Sequence, residues 1–129
     1  MITVQDTISN ISLLRRQRLK KAQIVLRRLK SILVEKYDVD RIILIGSFSD
    51  PDRFGFHSDI DLCVGGLPDS VYFKAVGELL LEAGDFNIDI IPFEDATSAM
   101  KEKILSGKVI YEKRQNLSKK IKSRNYIRA

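Results

Sequence analysis

A chain of 129 residues with 44% apolar and 30% charged side chains has the size and composition of one folded domain and is too apolar for a disordered one. A single cysteine, Cys63, and a single histidine, His57, exclude a disulfide framework, a cysteine-based zinc site and a histidine-rich metal centre, and no apolar run approaches a membrane span. The formal charge of +5 sits at the two ends, with nine Lys/Arg against Glu35 in residues 11–36 and seven with no acid in 113–129; residues 37–112 hold fifteen acids against six bases, which excludes a domain-wide basic groove for nucleic acid.

The first residues, MITVQDTISN, lack the basic-then-apolar layout of a secretory signal, so the chain reads as cytoplasmic. Ile11, Leu14, Arg18, Ala22, Val25, Leu26, Leu29, Ile32 and Leu33 recur at three-and-four spacing. That spacing predicts an amphipathic helix which Ser9 or Asn10 can cap and Tyr37-Asp38 ends. Arg16, Lys20, Arg27 and Lys30 form its basic back, either a solvated face or a docking surface for an acidic partner. Such a helix spans about 39 Å, more than a small core requires, so its first turns are expected to project toward a partner.

Arg41 to Gly46 (RIILIG) reads as a buried strand, Ser47 to Ser58 as a loop, and Asp59 to Val64 (DIDLCV) as a second, alternating strand. Pro68 opens a helix that Gly84 stops. Phe86 to Ile91 (FNIDII) is a third strand halted by Pro92, Glu94 to Ser106 a helix ended by Gly107, and Lys108 to Tyr111 a last strand. The order predicts an α+β two-layer fold, a small mixed β-sheet with helices packed on one side. No repeat or linker divides the chain, so residues 1–129 are expected to form a single domain: a basic helix over 1–39, a core over 40–112 and a basic tail over 113–129.

The unusual feature is the placement of acids. Side chains alternate along a strand, so Asp59 and Asp61 share one face, about 6.6 Å apart at the backbone, while Ile60 and Leu62 enter the core. Asp89, between Ile88 and Ile90, likewise turns away from its apolar neighbours. Carboxylates gathered on one face repel unless a cation neutralises them. Mg²⁺ typically takes one or two carboxylates plus phosphate oxygens, and three carboxylates can hold two metals for phosphoryl transfer. Strand-end acids on a wet surface are the plainer alternative. Gly46-Ser47 at the end of the preceding strand adds to the pattern. Glycine lets the backbone approach a phosphate, and the serine hydroxyl with successive N–H groups supplies donors.

The segment IGSFSDPDRFGFHSDIDLCV together with FNIDIIPFED resembles the DNA polymerase β-type nucleotidyltransferase superfamily, whose signature is Gly-Ser, a spacer and Asp-x-Asp. Within it the chain looks like the minimal nucleotidyltransferases (MNT). The resemblance covers residues 40–112, including KEKILSGKVIYEK, which is similar to the family's last helix and strand. It implies that Gly46 and Ser47 hold the nucleoside triphosphate and that Asp59 and Asp61 bind Mg²⁺ in a two-metal site. Asp89 would bind one metal and help deprotonate the attacking hydroxyl. The implied reaction is in-line attack of a hydroxyl on the α-phosphate of ATP or another nucleoside triphosphate, with pyrophosphate leaving. Two features depart from the family pattern. Eleven residues separate Ser47 from Asp59, and Phe48-Ser49-Asp50 stands where Ala-Arg-Gly often follows Gly-Ser, leaving Arg53 as a replacement base beside Asp50 and Asp52.

Stand-alone proteins of this kind resemble the antitoxins of HEPN/MNT toxin–antitoxin pairs, which transfer AMP to a tyrosine of a HEPN ribonuclease. The resemblance therefore implies a HEPN-domain toxin as partner and a tyrosine as acceptor, with nucleic acid not expected as substrate and no membrane role. A small hydroxyl compound as acceptor, or neutralisation of a partner by contact alone, are the alternatives. Cys63 lacks a partner base and reads as a passive thiol. His57 is a phosphate contact or a plain loop residue, and Lys74 a nucleotide contact or a solvated lysine. Tyr111 and Tyr126 are modification targets or ordinary strand and tail residues.

Overall fold

The computed structural model describes residues 1–49, 55 and 59–113, and of Ser47 and Ser49 the backbone alone. Helix α1 runs from Val4 to Ser31 and continues as a π-helical turn, Ile32–Lys36. Its start is earlier than Ser9 or Asn10. Thr3 caps it in a reciprocal box, its hydroxyl accepting from the Asp6 N–H while the Asp6 carboxylate accepts from the Thr3 N–H. That arrangement satisfies two otherwise unpaired donors, so the helix propagates back to it through the weaker caps.

Strand β1 (Arg41–Ile45) ends in a 3-10 turn, Gly46–Ser49, and β2 spans Ile60–Gly65. A 3-10 turn at Asp69–Val71 leads into α2 (Tyr72–Ala83), and β3 spans Ile88–Pro92. The helix expected from Glu94 is interrupted. Phe93–Asp95 is a 3-10 turn, Ala96 is extended, and α3 (Ser98–Leu105) begins only where the Thr97 hydroxyl caps the Met100 N–H. Strand β4 (Lys108–Glu112) closes the order.

The sheet order is β3-β2-β1-β4. β1 is antiparallel to β2 and to β4, and β2 is parallel to β3 through the α2 crossover. The sheet is mixed, as expected. Alternation sends Ile42, Leu44, Ile60, Leu62, Val64 and Ile90 to one face, where they pack with Ala22, Leu29 and Leu33 of the first helix and Ala75, Leu79 and Ala83 of α2. Each buried Leu, Ile or Val among them contributes about 1.5–3 kcal/mol by leaving water. Two helices thus share one side. The third adds a smaller layer on the other, where Ile104 of α3 covers Ile43, Ile45 and Cys63. A β-carbon at Gly107 would lie 2.8 Å from the Leu44 carbonyl oxygen, so glycine there lets the α3–β4 turn close onto β1. Among the described residues no helix is long and apolar enough to cross a membrane.

Candidate active site

The Asp59 side chain directly precedes β2, Asp61 is the second residue of that strand, and Asp89 is the second residue of β3. In the parallel β2–β3 ladder Asp61 is the register partner of Asp89, and in the antiparallel β1–β2 ladder it faces Ile45, whose neighbour is Gly46. Two ladders therefore bring Gly46, Asp61 and Asp89 to one end of the sheet, with Asp59 two residues from Asp61. Asp61 and Asp89 have the same parity as Cys63 and Ile91, which pack in the α3 layer, so the acids belong to that face. Asp61 is partly buried, while Asp59 and Asp89 are exposed.

Gly46 has φ +75°, the left-handed region that favours glycine, and a β-carbon there would stand 2.6 Å from Asp61 Oδ2. The first residue of the turn is thus held backbone-against-carboxylate, a contact no other residue type permits. The Ser47 backbone follows in the 3-10 turn. Burial raises the Asp61 carboxyl above its ordinary range, the charges of Asp89 and Asp59 raise it further, and Lys103 of α3 opposes them. Asp61 therefore feels the charges of both Asp89 and Asp59. Among the described residues no three acid, histidine or cysteine side chains are gathered tightly enough to form a metal cage by themselves. The donor set is all carboxylate oxygen and its members repel, which fits a hard divalent cation whose remaining ligands come from elsewhere, such as phosphate oxygens.

Lys103 is the residue sequence reasoning missed. Its place on α3 was readable, but not that α3 covers the acid-bearing face. Cys63 is fully buried beneath α3, and burial, then Glu94, pushes its thiol up to about 11 against the opposing charge of Arg41, which agrees with a passive role. Lys74 is exposed on α2, with its charge felt at Glu78. Tyr111 packs at the edge of the main core. The expected contacts from Arg53 and His57, the acids Asp50 and Asp52, and the tail from residue 114 with Tyr126, lie outside the described residues.

Solved structures with the same fold come from toxin–antitoxin complexes. One, a toxin–antitoxin crystal structure with AMP-PNP, is 20% identical with a TM-score of 0.55, covering 78% of this chain and 87% of that one. A second, tri-AMPylated Shewanella oneidensis HEPN toxin in complex with MNT antitoxin, is 19% identical with a TM-score of 0.55, covering 82% and 88%. A third, the MntA–HepT toxin–antitoxin, is 18% identical with a TM-score of 0.54, covering 81% and 88%. No curated protein matches. The family described as polymerase beta, nucleotidyltransferase, matches residues 27–116, which takes in the end of α1, all four strands and every acid of the site. This chain belongs to the polymerase beta nucleotidyltransferase family.

Proposed function

We propose that the chain transfers AMP, or another nucleoside monophosphate, from a nucleoside triphosphate to a tyrosine hydroxyl of a HEPN-domain toxin and so acts as its antitoxin. The observation that carries the reading is the approach of the Gly46 backbone to Asp61, with Asp89 in register beside it, at the end of a family nucleotidyltransferase sheet. One solved complex supports the choice of partner, since there an MNT antitoxin sits with a tri-AMPylated HEPN toxin.

In this reading the turn from Gly46 presents backbone N–H groups to the triphosphate, and Ser47 adds its hydroxyl. Asp59, Asp61 and Asp89 would hold Mg²⁺, which when bound supplies positive charge to the phosphates and makes the acceptor hydroxyl more acidic. Asp89 accepts the proton of the tyrosine hydroxyl. The oxygen then forms a bond to the α-phosphorus, the bond from that phosphorus to the bridging oxygen breaks, and pyrophosphate departs with the electron pair. The test is incubation of the chain with ATP, Mg²⁺ and a purified HEPN-domain protein of the same genome, followed by mass spectrometry. AMP on a HEPN tyrosine is the expected result. Label on nucleic acid or a small molecule alone, or no label under conditions where the nucleotide binds, would refute it.

A further inference from the structure

All of the first fourteen residues are exposed, so the helical segment from Val4 to Leu14, about 16 Å at 1.5 Å per residue, stands clear of the body. An isolated helix of that length is marginal in water, yet the capping box at Thr3 and Asp6 defines its end. Its composition is not that of a solvated spacer. Val4, Ile8, Ile11 and Leu14 recur at three-and-four spacing in line with Ala22, Leu29 and Leu33, the residues by which the helix enters the core. The core stripe runs on beyond the core, with Ile8, Ile11 and Leu14 about half exposed at 52%, 49% and 52%. This segment precedes the part of the chain matched by the family, residues 27–116.

The direction of the segment matters. α1 joins β1 at its C-terminal end through residues 37–40, and further back its Arg18 guanidinium lies 4.3 Å from the Phe86 ring centroid. Phe86 is two residues ahead of β3, at the end of the sheet that carries Asp89 and Asp59. Residues before Arg18 therefore overhang the acid-bearing end, with their apolar stripe turned to the core side of the helix.

The chemistry of the stripe selects its occupant. Ile11, Arg15, Arg18 and Ala22 follow one another on the same helical face, so the apolar ridge ends in guanidinium groups. A second copy of the helix offers no carboxylate on its apolar face to meet them. Asp6 is the one acid in residues 1–34, it lies on the far side of the helix from the stripe, and the Thr3 cap engages its carboxylate. The ridge fits a helical surface that carries apolar side chains followed by a carboxylate.

We propose that Val4, Ile8, Ile11 and Leu14, with Arg18 at their inner end, form the docking surface for the acceptor protein, holding it beside the acid-bearing end of the sheet. This rests on the reading that the acceptor is a protein. The test uses the full chain carrying Asp61→Asn, which separates binding from transfer, and a purified HEPN-domain protein as the probe in calorimetric titration. Ile8→Gln/Ile11→Gln/Leu14→Gln, a helix-compatible triple change, should weaken binding at least about tenfold while the melting temperature stays unchanged, and the same triple change with Asp61 intact should keep the parent's affinity for Mg²⁺ with a non-hydrolysable ATP analogue. Arg18→Met should weaken binding less and flatten its salt dependence. Unchanged affinity in the triple variant, no binding by either protein, or stripe-dependent dimerisation of the chain alone in sedimentation would overturn the proposal. If the probe binds through the stripe yet the chain with Asp61 intact transfers nothing to it, docking stands and the transfer reading falls. Transfer at the normal rate by the triple variant with Asp61 intact would do the reverse.

Discussion

Gly46 and Asp61 define the site at the scale of single residues. A left-handed backbone costs a non-glycine residue about 1–2 kcal/mol, and here the added β-carbon also meets Asp61 Oδ2 at 2.6 Å. Gly46→Ala is therefore expected to lower stability by roughly 1–3 kcal/mol and to abolish nucleotide binding, with thermal melting and titration as the readouts. Full stability with full binding would show that the turn tolerates a side chain. Cys63 gives a contrasting case on the same face. Its thiol, pushed up to about 11, carries almost no thiolate at pH 8, so a disulfide reagent should react with it slowly in the native protein and rapidly after denaturation. Equal rates in both states would contradict its burial. The acids were legible in the sequence because a strand's period of two fixes which residues share a face. Lys103 was not, because its relevance depends on which face α3 covers, and α3 is too short to declare that by its pattern.

At the scale of elements, β1 followed from its apolar run and β2 and β3 from alternation, whereas the helix ends did not follow from propensity. Thr3 and Asp6 act together, and neither alone outranks Ser9 or Asn10 as a cap. Likewise the extended Ala96 and the Thr97 cap break what reads as one helix from Glu94. The joint between the first helix and α2 carries a test of its own. Glu78 accepts from Lys36 Nζ at 2.6 Å and from the Tyr37 hydroxyl at 2.7 Å, and these bonds, Lys36 first, hold its carboxyl below the ordinary range. A lowered carboxyl stabilises the fold above its unfolded pKa, and that contribution is lost as pH falls through the folded value. Tyr37 behaves in the opposite sense. Burial, then its bond to Glu78, raises the phenol to about 12, so its contribution is complete below pH 10 and fades between 10 and about 12. Tyr37→Phe should thus melt at a lower temperature than the parent at pH 7, with the gap narrowing below about pH 4. A gap of constant size from pH 3 to 8 would exclude the charged acceptor as its cause.

At the scale of the molecule, the fold class was readable from the order of elements, whereas the strand order was not. β4 lies beside β1 rather than beside β3, its neighbour among the strands in sequence, because non-local pairing leaves no mark on local periodicity. The parallel crossover from β2 to β3 is what sets Asp61 level with Asp89, and the turn after β1 brings Gly46 to the same end. The long first helix overhangs that end, so a basic and apolar surface stands beside an acidic one. The central claim is that this acidic end is a cation and nucleotide site rather than a set of structural surface charges. Melting temperatures of the parent and of Asp61→Asn, each with and without Mg²⁺ and a non-hydrolysable ATP analogue, test it most directly. The account predicts that the variant alone melts at the same or a slightly higher temperature, since one repelling charge is gone, and that the nucleotide stabilises the parent by mass action but not the variant. A variant that is destabilised on its own, or one that the nucleotide stabilises as fully as the parent, would contradict it.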